Sequence, residues 1–267
     1  MKDILAWFGL KRFPFDKNIK PRDALETEPL NESLARLEYI KRRGGIMLLT
    51  GDPGTGKTLI LRSYVQKLNE NLFKTYYTPL TTLSRSDLLN HLNRLLGLPH
   101  RMSKSALYTQ IQNYILESKD QMGKTILIII DEAHLLQTGP LEELRLLTNF
   151  KMDSYDPFIL VLSGQSDLRR VMDFALMEPF NQRISMRYHM PPLTPEESKL
   201  YVTHHLKLAG ATEPILDDKA LDVVHEVSFG IPRKIGALTE QALTYAMFDH
   251  KRTVTPEIVL KVKRLQE

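Results

Sequence analysis

Eight consecutive residues, Gly51-Asp52-Pro53-Gly54-Thr55-Gly56-Lys57-Thr58, restrict this chain more than any other stretch. They spell G-x-x-x-x-G-K-[ST], and the flanking sequence agrees with that pattern. Apolar residues at 46–50 precede it as a buried strand would, and a helical pattern at 59–68 follows. The glycines let the backbone turn tightly, so that its N–H groups and the next helix N-terminus point at one polyphosphate. The Lys57 ammonium would neutralise β- and γ-phosphates, and the Thr58 hydroxyl would ligate Mg²⁺. Strand, loop and helix in this order predict an α/β fold that binds a nucleoside triphosphate.

The rest of the composition narrows the setting without naming a task. A chain of 267 residues holds one large or two modest domains and can bury a core. Cysteine is absent, which excludes disulfides and thiolate metal sites and fits a reducing, cytoplasmic setting. The longest apolar run, 126–130, is a strand, far below the ~18 to 20 residues of a membrane span. The first residues are too short and interrupted for a signal peptide, so no membrane partner is expected. A net charge of +4, from 36 Lys and Arg against 32 Asp and Glu, is compatible with nucleic acid without pointing to it.

Strand-like runs at 46–50, 74–80, 126–130, 158–162 and 187–190 alternate with helical patterns from Ser86, at 104–118 and from Pro140. Unbroken apolar strands separated by helices predict a parallel sheet covered on both faces. Pro191-Pro192-Leu193-Thr194-Pro195 then punctuates the chain, and only helical patterns follow, near 218–228, 232–250 and 256–266. Thr194-Pro195-Glu196-Glu197 is a helix start, with a cap, Pro at the first position and early acids. The expected organisation is an N-terminal segment with a first helix (1–44), an α/β core (45–192) and a small helical lid (193–267).

A second phosphate-handling element lies about 75 residues beyond the first, where the run Ile126-Leu127-Ile128-Ile129-Ile130 ends in Asp131-Glu132. An apolar strand ending in two acids is the Walker B arrangement. Asp131 would orient the Mg²⁺ shell, and Glu132 would polarise the attacking water as general base. The continuation Ala133-His134 spells the box of a DEAH helicase, but such helicases need two motor domains and far more chain. His134 reads as a polar residue in the turn leaving the strand.

Two Walker motifs, a later apolar strand ending Ser163-Gly164-Gln165 and an all-helical C-terminal part together resemble the AAA+ ATPases. The resemblance implies a three-layer P-loop core, a helical lid, and binding and hydrolysis of ATP with Mg²⁺. It puts Gln165 at the sensor 1 position, where many members carry Asn, with Ser163 as the rival. It puts Arg183, in Gln182-Arg183, at the arginine finger that reaches a neighbouring subunit's nucleotide, with Arg187 as second choice. Gly230-Ile231-Pro232-Arg233 matches the sensor 2 pattern, so Arg233 would contact the γ-phosphate.

At finer grain, Phe8-Gly9-Leu10, Phe13-Pro14-Phe15, Leu34-Ala35-Arg36-Leu37, the 162–169 stretch, Gln182-Arg183-Ile184 and Leu208-Ala209-Gly210 resemble the ExeA/GspA-like branch. That branch is related to Orc/Cdc-type initiator ATPases and to transposition ATPases of the MuB and TnsC type. By this resemblance Phe13-Pro14-Phe15 and Pro21 lie near the adenine. ExeA-type members continue into a membrane span and a peptidoglycan-binding domain, which these 267 residues lack. The implied task is therefore that of a transposition helper, an ATP-dependent ring or filament on duplex DNA that recruits a transposase. A secretion ATPase is the alternative. Under the first reading Thr82, Arg85, Arg101 and Lys104, in two cationic and hydroxyl-rich loops, are the candidate phosphate contacts on DNA.

Overall fold

Five parallel strands follow from the five strand-like runs, and the computed structural model describes them within residues 4–16, 19–79 and 84–265. They are β1 (Gly45–Gly51), β2 (Phe73–Pro79), β3 (Thr125–Asp131), β4 (Phe158–Gly164) and β5 (Ile184–Met190), in the order β2-β3-β4-β1-β5. Every residue of β1, β3 and β4 is buried, as expected for strands with neighbours on both sides and helices on both faces. The edge strands β2 and β5 are mostly half-buried or exposed. That difference explains why β5 begins at Ile184 and not at 187. Its apolar Ile184 and Met186 alternate with Ser185 and Arg187, so the strand hides among polar residues.

Alternation along the strands builds two apolar layers. Ile46, Leu48, Ile128, Ile130, Leu160 and Leu162 merge with residues of three helices. These are α4 (Arg85–Leu95), α5 (Lys104–Asp120) and α6 (Thr138–Leu147), after α1 (Ile4–Phe8), α2 (Glu28–Arg43) and α3 (Lys57–Lys67). The intervening residues Met47, Leu49, Leu127, Ile129, Ile159 and Val161 are equally buried. On α3, Tyr64 is buried, and its hydroxyl donates to the Leu37 carbonyl of α2 at 3.0 Å. Each fully buried Leu or Ile contributes about 1.5 to 3 kcal/mol. Ser84 and Ser103 cap α4 and α5 by accepting from the N–H groups of Asp87 and Ala106. Two short helices, α7 (Ser166–Met172) and α8 (Glu178–Asn181), connect β4 to β5.

By contact the chain divides into two compact units: residues 32–53 with 57–190, and residues 1–31 with 54–56 and 191–267. The second unit carries α9 (Pro195–Ala209), α10 (Asp218–Ser228), α11 (Pro232–Phe248) and α12 (Pro256–Arg264). Its core joins Val202, Leu206, Val224, Leu238, Leu243, Ile258 and Val262, together with Leu10 from the N-terminal segment. Thr194 and Glu197 form a reciprocal capping box at the start of α9, with Pro195 in the first turn. Gly210 ends that helix in the left-handed conformation, φ 108°.

The N-terminal segment is tied to α9 through backbone and aromatic contacts. The Lys11 N–H donates to the Ala209 carbonyl at 2.7 Å. His205 Nδ1 donates to the Pro14 carbonyl at 2.8 Å, and the Phe15 ring stacks on His205 with centroids 5.1 Å apart. Burial, reinforced by His204 and Arg12, pushes the His205 imidazole down to about 4 against the Pro14 hydrogen bond. Its folded pKa lies below the unfolded one, so this unit loses stability as pH falls from about 6.5 toward 4. The loss should reach on the order of 3 kcal/mol for a 2.5-unit shift. Urea melts at pH 7 and 4.5 measure it; His205→Gln should flatten the difference, and an equally steep loss in that variant would refute the assignment.

Candidate nucleotide site

The strand register brings the signature residues to one end of the sheet. Thr50 of β1 is level with Gly164 of β4, and Ile130 of β3 with Leu162 of β4. The C-terminal ends of these strands therefore present Gly51, Asp131 and Ser163 together. From Gly51 the chain turns through 52–56 and enters α3 at Lys57. Gly54 and Gly56 have φ of 89° and 106°, a region that residues with a Cβ resist. At Gly54 a Cβ would also come within 2.7 Å of the Arg233 Cβ, in the same compact unit.

Lys57 is buried, and its Nζ donates to the carbonyls of Gly51 at 2.8 Å and Asp52 at 3.0 Å. Its charge is thus held over the loop by the loop's own backbone. Ser166 Oγ donates to Asp52 Oδ1 at 2.9 Å, so the start of α7 steadies the same turn.

Asp131 is the hub. Its Oδ2 accepts from Thr58 Oγ1 at 2.9 Å and from the Tyr77 hydroxyl at 3.1 Å. Its Oδ1 accepts from Ser163 Oγ at 2.7 Å and from the Glu132 N–H at 3.0 Å. These four donors satisfy the side-chain oxygens of Asp131, which is only 3% exposed. Burial, then the Asp131 carboxylate, push the Tyr77 phenol up to about 12, so Tyr77 stays a donor at neutral pH.

Glu132 ends the strand in the left-handed conformation at φ 55°, at a cost of about 1 to 2 kcal/mol. Its side chain is 48% exposed, and the carboxylate lies 3.4 Å from His134 Nδ1. The Gln165 N–H points at that same His134 nitrogen at 3.4 Å. Gln165 lies one residue beyond β4, at the cap of α7. Of the two sensor 1 rivals, Ser163 is thus the one bonded to Asp131, and Gln165 the one beside His134.

The arginines are held differently. Arg183 donates to the Arg145 carbonyl and the Thr148 hydroxyl, each at 3.2 Å, and pairs with Asp153 at 3.0 Å. Arg187 donates to the Asn181 carbonyl at 2.8 Å and its side-chain oxygen at 2.9 Å. The Arg233 side chain is exposed, while its N–H donates to the Gly54 carbonyl at 3.3 Å. Phe13 is exposed, and Pro21 opens a short 3₁₀ turn, Pro21–Asp23. Of the proposed DNA contacts, Arg85 pairs with Glu142 at 2.5 Å and Lys104 with Glu143 at 2.6 Å. Arg101 Nε donates to Gln110 Oε1 at 2.6 Å, and Thr82 lies outside the described residues.

The donor set suits a Mg²⁺–triphosphate. A hydroxyl and a carboxylate 2.9 Å apart beside a buried lysine supply the few protein ligands that Mg²⁺ takes when phosphates and waters complete its octahedron. Among the described residues no cluster of three His, Cys, Asp or Glu offers an all-protein cage instead.

A family model described as "AAA domain" matches residues 40–172. This chain is an AAA+ protein. Domains of this family bind ATP with Mg²⁺. The AAA+ chain is 35% identical over 250 residues to general secretion pathway protein A of Aeromonas hydrophila, which covers 92% of this chain. The match spans 45% of that relative's length, so about half of the relative has no counterpart here. Solved structures share the AAA+ fold: Cdc6p from Pyrobaculum aerophilum has a TM-score of 0.67 at 17% identity, over 93% of this chain and 69% of that one. The ORC2 protein of Aeropyrum pernix, in ADPNP–ADP complexes, has a TM-score of 0.66 at 18% identity, over 95% and 71%. The RuvB Holliday junction branch migration motor of Thermotoga maritima has 0.59 at 21%, over 95% and 73%. At these identities the likeness is one of fold. Among the described residues no helix is long and apolar enough to cross a membrane.

Two residues of this AAA+ site escape a linear reading. Tyr77 matches no motif, and Ser166 lies in the 162–169 stretch with no role assigned to it, yet one donates to Asp131 and the other to Asp52. The available signal for Tyr77 is a polar aromatic near the end of a strand whose last residue, Pro79, pairs with Asp131.

Proposed function

We propose that this chain binds ATP with Mg²⁺, hydrolyses it, and uses the nucleotide state to control assembly with further copies of itself. The observation that carries the reading is the convergence of Lys57, Thr58 and Ser163 around the P-loop and the buried Asp131. Mg²⁺, held by Thr58 and Asp131, would neutralise charge on the triphosphate. Lys57 would move its hydrogen bonds from the loop carbonyls to phosphate oxygens. Glu132 would take the proton of the attacking water, and Gln165 would orient that water. Arg183 would serve a neighbouring subunit's site, and Arg233, whose N–H meets the Gly54 carbonyl, the γ-phosphate. The Phe13 to Phe15 stretch and Pro21 remain the proposed surroundings of the adenine.

Among biological tasks, a role in secretion or envelope assembly has the better support. The relative named for the general secretion pathway matches this chain at 35% identity across almost its whole length. A transposition role, with duplex DNA and a transposase as partners, has less support. Two of its candidate cations, Arg85 and Lys104, are already neutralised by Glu142 and Glu143. The decisive experiment measures ATP binding and phosphate release for the wild type and Lys57→Ala, with and without duplex DNA at low salt. The wild type should turn over ATP, Lys57→Ala should bind at least about tenfold more weakly, and DNA should change neither. Unimpaired binding by Lys57→Ala would sink the nucleotide site. A salt-sensitive, ATP-dependent DNA complex would restore the transposition reading.

A further inference from the structure

The Asp131 carboxylate has no acceptor position left. An ionised carboxylate offers about four lone-pair positions, two on each oxygen. Ser163 Oγ and the Glu132 N–H fill those on Oδ1, and Thr58 Oγ1 and the Tyr77 hydroxyl fill those on Oδ2. For Asp131 to accept from a metal-bound water, or to meet the ion itself, one of these donors must leave.

The four donors are not equally able to do so. The Glu132 N–H belongs to the next residue of the same strand end and cannot retreat. Ser163 is 0% exposed inside β4, so its hydroxyl would leave for no solvent partner. Thr58 can keep its proton on Asp131 while an oxygen lone pair meets the metal, which removes any conflict. Tyr77 makes the longest of the four contacts, 3.1 Å, and comes from the edge strand β2. As a whole residue it is 44% exposed, so the side chain has room to swing its hydroxyl from Asp131 toward water.

We propose that Tyr77 occupies the Asp131 acceptor position in the metal-free site and yields it when Mg²⁺–nucleotide binds. Tyr77 is then a positioning residue that keeps the carboxylate oriented and sets how much Mg²⁺ the site requires. This inference rests on the nucleotide reading above. Its neighbour Tyr76 provides an internal control. That side chain joins the α4–α5 side of the core, and its hydroxyl lies 2.6 Å from that of Tyr114, away from Asp131.

The test titrates Mg²⁺ into the full chain with the fluorescent nucleotide N-methylanthraniloyl-ADP, so the readout is binding and involves no turnover. Wild type, Tyr77→Phe and Tyr76→Phe are compared. Tyr77→Phe should lower the half-saturating Mg²⁺ concentration about threefold to tenfold, as expected when a competing charged hydrogen bond is removed. Nucleotide affinity in EDTA should be unchanged, and Tyr76→Phe should titrate like wild type. General damage to the site would weaken Mg²⁺ binding, so the expected sign separates this role from a structural one. Unchanged or weaker Mg²⁺ binding by Tyr77→Phe overturns the proposal. A wild-type chain that binds no nucleotide at any Mg²⁺ concentration overturns the underlying nucleotide reading instead.

Discussion

Glu132→Gln should retain ATP binding and slow phosphate release by about two to four orders of magnitude, the usual worth of a positioned general base. The substitution keeps the size and reach of the side chain and removes only the basic carboxylate. Glu132 is half-exposed and lies 3.4 Å from His134, so stability should scarcely change. The left-handed backbone at this position costs Gln about what it costs Glu. Binding of a fluorescent ATP analogue and single-turnover phosphate release separate the two effects. Turnover within a few-fold of wild type would remove Glu132 from the chemistry.

Arg183→Ala should bind ATP yet lose about three to five orders of magnitude in turnover, the range for an arginine finger. The geometry gives this residue a competing duty. Its guanidinium, 17% exposed, ties the Arg145 carbonyl and Thr148 hydroxyl to Asp153. Lys151, Met152 and Asp153 all have positive φ, from 49° to 65°, so the turn it holds is strained. Mixing decides between the duties. Glu132→Gln and Arg183→Ala chains each lack one half of a composite site. A mixture pairs an intact Glu132 in one subunit with an intact Arg183 in its neighbour and should recover turnover. No recovery, together with a lowered melting temperature, would assign Arg183 to holding the 151–153 turn.

Secondary structure was most legible where the sequence was most apolar. The runs at 46–50, 126–130 and 158–162 lie within β1, β3 and β4, strands buried at every residue. Such positions admit few alternatives to Val, Ile, Leu or Met. The edges were harder, because β5 carries Ser185, Arg187 and His189 on its exposed positions and resembles a loop in composition. Helices announced by caps, such as α9 with Thr194 and Pro195, were plain from the residues alone. The short α7 and α8 were not, since helices of 7 and 4 residues complete too few turns to show a period.

The biological task was the least legible. Read from its residues alone the chain favours transposition, whereas the 35% identity to a secretion-pathway relative supports the other reading. A P-loop core serves many tasks, because what differs among them sits in surface loops and partners.

The phosphate loop, the Walker B acids and the α/β order are local properties. Tight turns require glycine and buried strands require apolar runs, so short stretches of sequence suffice to read each of them. What surrounds Asp131 is not local. Tyr77 is separated from it by 54 residues, Thr58 by 73 and Ser163 by 32. Strand order and register bring all three hydroxyls within hydrogen-bond reach of one carboxylate, and no linear spacing encodes that meeting. A buried charge must collect donors from wherever the fold supplies them, and here the parallel sheet supplies them from β2, β4 and α3.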